Sequence, residues 1–161
     1  MDTQDKAVRL LEEFALSRGI EGLVFREDGD CALVDEEERV THIQRDTEND
    51  RLICLAALGE LPPPDQCDPE LLHALLAANF CWGGSLEATL AIEAQSGQVI
   101  LQRSLPLADA DADMFGRFID AFIQTVLYWE ERLAELRLSS DADFPFDGDE
   151  DGSGVETMLK I

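Results

Sequence analysis

Apolar residues recur along this chain with two alternating periods, and the switches between them mark out the elements. Near the start, Ala7, Leu10, Leu11 and Phe14 fall three and four apart. That spacing predicts an amphipathic helix over Asp2 to Arg18, with Thr3 placed to cap it and Gly19 to stop it. From Ile20 to Leu61 the period shortens to that of strands. Leu23–Arg26 reads as a short extended piece closed by the turn Glu27-Asp28-Gly29, and CALVD (Cys31–Asp35) as a strand. VTHIQR (Val40–Arg45) alternates, with Thr41, Ile43 and Arg45 on one side and Val40, His42 and Gln44 on the other. LICLAAL (Leu52–Leu58) suits helix or strand by propensity. It reads as a strand because it is short, follows a polar turn and ends at Gly59. Three strands joined by short polar turns predict an antiparallel meander.

Pro62-Pro63-Pro64 interrupts the pattern, since no helix interior or central strand tolerates it. Asp68-Pro69 then opens a second helix, with Asp68 as N-cap and Pro69 in the first helical position. Its apolar face is Leu71, Leu72, Leu75, Leu76 and Phe80, wider than one sheet contact needs, and Gly83-Gly84 is expected to end it. LEATLAIE (Leu86–Glu93), the turn Gln95-Ser96-Gly97 and VILQRSL (Val99–Leu105) predict a hairpin. Asp109 to Arg137 reads as one long helix. Phe115, Phe118, Phe122, Val126, Trp129, Leu133 and Leu136 form its core stripe, widened by Ile119, Ile123 and Leu127. The predicted fold is α+β, in the order helix-β-β-β-helix-β-β-helix, with an antiparallel sheet packed with helices.

After Leu138 the composition breaks. Residues 139–161 hold seven acidic residues and one lysine among Gly, Ser and Pro, and read as a flexible acidic tail following a domain of residues 1–138. The whole chain has 161 residues, 12 basic against 35 acidic, for a net charge of −23. Without the tail, 28 acids stand against 11 bases, so the body is itself strongly acidic. Such a surface repels nucleic acid phosphates and anionic lipid headgroups and favours basic or polar partners. At 45% hydrophobic residues the chain has enough for a real core.

Candidate chemistry is sparse. Asp2, Asp5, Glu12 and Glu13 stand where a signal peptide would be basic and then apolar, and no apolar run is long enough to span a bilayer, so a cytoplasmic protein is expected. Cys31, Cys54, Cys67 and Cys81 form no C-x-x-C pair. Cys31 and Cys54 read as core residues and Cys67 as a loop thiol, a pattern that fits a reducing compartment. There is no glycine-rich phosphate loop and no G-x-S-x-G. His42 and His73 lie on different elements outside any H-E-x-x-H, so no enzyme, cofactor or metal site is expected. Asp147-Gly148-Asp149-Glu150-Asp151-Gly152 matches half of a calcium loop. Its twelfth position, however, is Met158 in place of a bidentate Glu, and a solvated acidic tail is the expected reading.

The element order resembles the class I type III secretion chaperones, the Tir-chaperone-like family. So do LICLAALGELP before a proline-rich loop, ELLHALLAANF, the Gly-Gly step into LEATLAIE, VILQRSLPL and FGRFIDAFIQTVLYWEERL. The resemblance runs from Asp2 to about Leu138; the tail departs from it. It implies a cytosolic homodimer without nucleotide dependence. Such a dimer binds the non-globular N-terminal segment of a type III secreted effector, keeping it soluble and secretion-competent. The effector wraps in extended form, its apolar side chains entering surface patches and, in some cases, a strand adding to a sheet edge. By position, the resemblance makes Leu10, Leu11, Phe14, Leu33 and Ile43 candidates for effector binding. It makes Leu75, Leu76, Phe80, Trp82 and Leu86 candidates for the dimer interface. The same acidity supports an alternative, a small inhibitor or immunity-type protein that occupies a basic partner.

Overall fold

The computed structural model describes residues 3–142, with side chains from Lys6 to Leu138. The half calcium loop and most of the acidic tail therefore lie outside the described residues. The elements are α1 (Thr3–Arg18), β1 (Asp30–Val34), β2 (Val40–Asp46), β3 (Arg51–Glu60), α2 (Pro69–Ala78), a 3-10 turn (Phe80–Trp82), β4 (Thr89–Ile92), β5 (Gln98–Pro106) and α3 (Ala112–Ala142). All sheet pairs are antiparallel, in the order β1-β2-β3-β5-β4. The expected meander and hairpin are both present, and β3 joins them by pairing with β5.

Alternation gives the sheet two unlike faces. Cys31, Ile43, Leu52, Cys54, Ala56, Val99 and Leu101 point inward and are buried. Against them lies the α3 stripe of Phe115, Ile119, Phe122, Val126, Trp129 and Leu133, all buried. α1 completes this layer with Ala7, Leu10, Leu11 and Phe14, and the Phe14 ring meets Phe115 edge-on at 5.5 Å between centroids. Burial pushes the thiol pKa of both inward cysteines up. The residues of the opposite face are half-buried or exposed, among them His42, Ile53, Leu55, Ile100 and Gln102.

Several boundaries move, each for a local reason. Leu23–Arg26 is extended without pairing as a strand; only the Arg26 N–H reaches β1, donating to the Asp30 carbonyl at 2.8 Å. α3 starts at Ala112 instead of Asp109, because the Asp111 carboxylate accepts from the Met114 N–H at 2.7 Å and so caps the helix there. α2 keeps its expected start, with Asp68 Oδ1 accepting from the Glu70 N–H at 2.8 Å and Pro69 following. Its end is earlier than the Gly-Gly step: the helix stops at Ala78 with Asn79 as C-cap, and a 3-10 turn intervenes.

Candidate interaction surface at the α2–β4 end

α3 lies across the middle of the sheet, whereas α2 sits over its β4 margin. One side of α2 turns Leu71 and Leu75 into the core. Among the described residues its other side is open: Leu76 is 72% exposed, and beyond the helix Phe80 is 81% and Trp82 59% exposed, with Leu86 and Ile92 also exposed. Between α2 and β4 runs an apolar groove of about 230 Å³, lined by Leu72, Leu75, Leu76, Leu90 and Ile92 among others. The run from Leu71 to Leu86 contains no Asp, Glu, Lys or Arg, in a chain that is 29% charged.

The backbone that carries this surface is unusual. Cys81, Trp82, Leu86 and Glu87 all have positive φ (50°, 55°, 55° and 65°), although none is glycine. Left-handed backbone costs an L-residue about 1–2 kcal/mol. Four such residues within one short segment persist only where surrounding contacts over-determine them. Those contacts are specific. The Asn79 side chain donates to the Leu90 carbonyl at 3.0 Å and accepts from the Leu90 N–H at 2.9 Å. Ser85, fully buried, donates its hydroxyl to the Ala88 carbonyl at 2.5 Å and its N–H to the Ala78 carbonyl at 2.9 Å. A Cβ on Gly84 would come within 2.9 Å of the Ala78 Cα, so no larger residue fits that approach. The expected strand over Leu86–Glu93 is shortened for the same reason: Leu86 and Glu87 are in the left-handed region, and pairing begins at Thr89.

Asn79 also finishes the sheet on this side. Leu90 turns its N–H and carbonyl away from β5, and Asn79 takes both. At the opposite margin no such plug exists among the described residues. Asp30 is engaged by Arg26, and strand alternation leaves the backbone groups of Ala32 and Val34 directed away from β2.

On the outer face of the sheet, Trp82 rims a second cleft of about 320 Å³ with Arg51, Ile53, Glu87, Gln102, Arg103 and others. Its arginines are occupied. Arg51 donates to Asp46 at 2.7 Å, while Arg103 pairs with Glu87 and stacks over the Phe118 ring. Side-chain hydrogen bonds from Arg51 and Asn49 hold the Asp46 carboxyl below its usual pKa. Among the described residues, no group of three or more His, Cys, Asp or Glu is placed to hold a metal ion. The His42 ring lies 3.1 Å from the Asp30 carboxylate.

The candidate site residues therefore divide. Leu10, Leu11, Phe14 and Ile43, expected on an effector-binding surface, are buried in the monomer core, and Leu33 is half-buried. For the three α1 residues the cause is simple: α1 packs its single apolar stripe against α3, where Phe14 meets Phe115, and the stripe is consumed there. Of the interface candidates, Leu75 is core, whereas Leu76, Phe80, Trp82 and Leu86 are all exposed. Sequence reasoning missed Asn79 and Ser85, whose hydrogen bonds hold the segment that carries Trp82 and Leu86. The sharp change of period at Asn79 was the only available signal.

An α+β unit with one covered sheet face and several exposed apolar side chains at one end has the build of an interaction protein. The chain belongs to the Tir chaperone protein (CesT) family, whose model matches residues 9–130. No curated protein matches it. Among solved structures, a chain of the ExsC–ExsE complex superposes with a TM-score of 0.68 at 22% identity, covering 83% of this chain and 97% of that one. A chain of the Yersinia pestis type III secretion chaperone SycH in complex with a stable fragment of YscM2 gives 0.57 at 21% identity, covering 75% and 97%. A chain of the heterodimeric ExoU–SpcU complex from the type III secretion system of Pseudomonas aeruginosa gives 0.57 at 18%, covering 78% and 95%. Among the described residues, no helix is long and apolar enough to cross a membrane.

Proposed function

We propose that this protein is a cytosolic, non-enzymatic chaperone. It acts as a homodimer and holds the non-globular N-terminal segment of a type III secreted effector in extended form. Family membership over residues 9–130 carries this reading. The structural neighbours, two of them complexes named for a type III secretion chaperone or system, support it. In the dimer, Leu76, Phe80, Trp82 and Leu86 meet their counterparts, with Leu75 packed beneath them. The effector lies elsewhere, along β1. Leu33, Val34 and Val40 offer apolar contacts there, and the free backbone groups of Ala32 and Val34 accept a strand. Leu10, Leu11, Phe14 and Ile43 support that surface from within the core.

The test is affinity purification from the native cell, followed by limited proteolysis and mass spectrometry of what co-elutes. A protected N-terminal segment of a secreted protein is expected. Co-elution of an intact folded enzyme whose activity is suppressed would overturn the reading in favour of an acidic inhibitor.

A further inference from the structure

We propose that the bare outer face of the sheet seats an amphipathic helix of a partner protein, basic along one flank and laid across the strands. α3 packs on the inner face, and among the described residues no helix covers the outer one. Strand pairing aligns one residue from each strand there. Val34 stands opposite Val40, and Ala57 opposite Ile100, which also pairs with Ala91. The β2–β3 register, continued two residues past His42 and Leu55, brings Val40 level with Ala57. The five form an apolar lane across the sheet, exposed at Val34, Val40 and Ala57 and half-buried at Ile100 and Ala91. The neighbouring row of Ala32, His42, Leu55, Gln102 and Thr89 is mixed. A solvated face of an antiparallel sheet is ordinarily polar, so an unbroken apolar row on it marks a surface for a partner. The lane shares Val34 and Val40 with the β1 surface but requires neither an added strand nor the dimer.

The direction of the lane decides the shape of its occupant. An extended segment lying across the strands would bury backbone N–H and carbonyl groups with nothing to pair them. A helix pairs its own. Strands stand about 4.8 Å apart and helix turns about 5.4 Å, so successive turns meet successive strands. α3 makes the same kind of crossing on the inner face with its stripe from Phe115 to Leu133. Charge decides the chemistry. One end of every strand in the lane runs into acid: Glu36, Glu37 and Glu38 between β1 and β2, Glu60 at the end of β3 and Glu93 after β4, all exposed. Arg39 in that border is already held by Asp35, Glu37 and Glu130. Lysines or arginines on that flank of the helix therefore meet carboxylates. A second copy of a chain carrying −23 would meet repulsion there instead.

The probe is a synthetic peptide of about 15 residues, long enough to cross five strands as a helix, with leucines at helical spacing and lysines along one flank. Fluorescence anisotropy reads its binding to the full-length protein, and circular dichroism reads its helicity. Saturable binding with a gain of helix is expected, at least tenfold tighter than for a scrambled peptide or one with glutamates in place of the lysines. Ala57→Lys, in the middle of the lane, is expected to weaken binding at least tenfold. Glu36→Gln, Glu38→Gln and Glu60→Gln together are expected to weaken it several-fold and to flatten its salt dependence. Ala32→Pro, which removes a donor from the β1 margin, is expected to leave it unchanged. Thermal melts check that each variant folds. If Ala57→Lys does not, the triple variant at exposed positions decides. Equal binding of the scrambled peptide, or full affinity in Ala57→Lys or in the triple variant, overturns the proposal. So does loss of binding in a folded Ala32→Pro, which would make the peptide an added strand. Ala57→Lys that abolishes self-association and leaves peptide binding intact gives the lane to a second copy and overturns it as well.

Discussion

α2 and α3 both carry apolar stripes at helical spacing, and the two stripes meet opposite fates. On α3, Phe115, Ile119, Phe122 and Leu133 vanish into the space above β3 and β5. On α2, Leu71 and Leu75 do the same, but Leu76 one position on is left in solvent with Phe80 beyond it. Residue type does not separate them. Place does: α3 crosses the middle of the sheet, whereas α2 covers a margin where the sheet has run out. Burial is set by what the chain places opposite a stripe, so a stripe broader than its support becomes a surface.

Substitutions in the two stripes should therefore fail in different ways. Phe122→Ala, in the fully buried stripe, should cost about 3–5 kcal/mol of unfolding free energy by denaturant titration, because it leaves a cavity in a closed layer. Leu76→Asp should leave monomer stability within about 0.5 kcal/mol, as exposed substitutions do. It should nonetheless abolish self-association at micromolar concentration in light scattering. A large loss of monomer stability from Leu76→Asp would break the contrast. Asp68→Ala tests how firmly α2 is founded: removing the N-cap bond to Glu70 should cost about 1 kcal/mol, read from the same titration.

The smallest effect concerns acid. The Arg51 and Asn49 side chains depress the Asp46 pKa, and the Ser96 hydroxyl with the N–H groups of Gln95 and Ser96 depresses that of Glu93. Both carboxyls thus have folded pKa values below their unfolded ones. Their contribution is complete above the unfolded value of about 4 and is lost as pH falls through the folded value. Thermal melts below about pH 4 should decline, and the decline should be shallower in Asp46→Asn.

Much of the fold was legible because its signals are local. Asp68-Pro69 announces a helix start by the chemistry of the first turn, and the Phe115–Leu133 spacing can serve only one face of a helix. The alternation of VTHIQR put Thr41 and Ile43 on one side of the strand, and both are buried together. The site was less legible. Whether Leu10 or Leu76 faces water depends on which elements pack above them, and that is a property of the whole arrangement. The left-handed run near Trp82 was invisible because its residues are not glycine. The hydrogen bonds that hold it come from Asn79 and Ser85, residues ordinary in any loop.

The amide of Asn79 has one more consequence. It occupies the Leu90 backbone groups on one margin of the sheet, while among the described residues Ala32 and Val34 remain open on the other. The sheet is therefore one-ended. An exposed β1 in one molecule finds only a largely filled β4 margin in the next, so copies cannot be threaded edge to edge into a growing ribbon. A single asparagine lets the chain keep a sticky margin without becoming the seed of its own fibre.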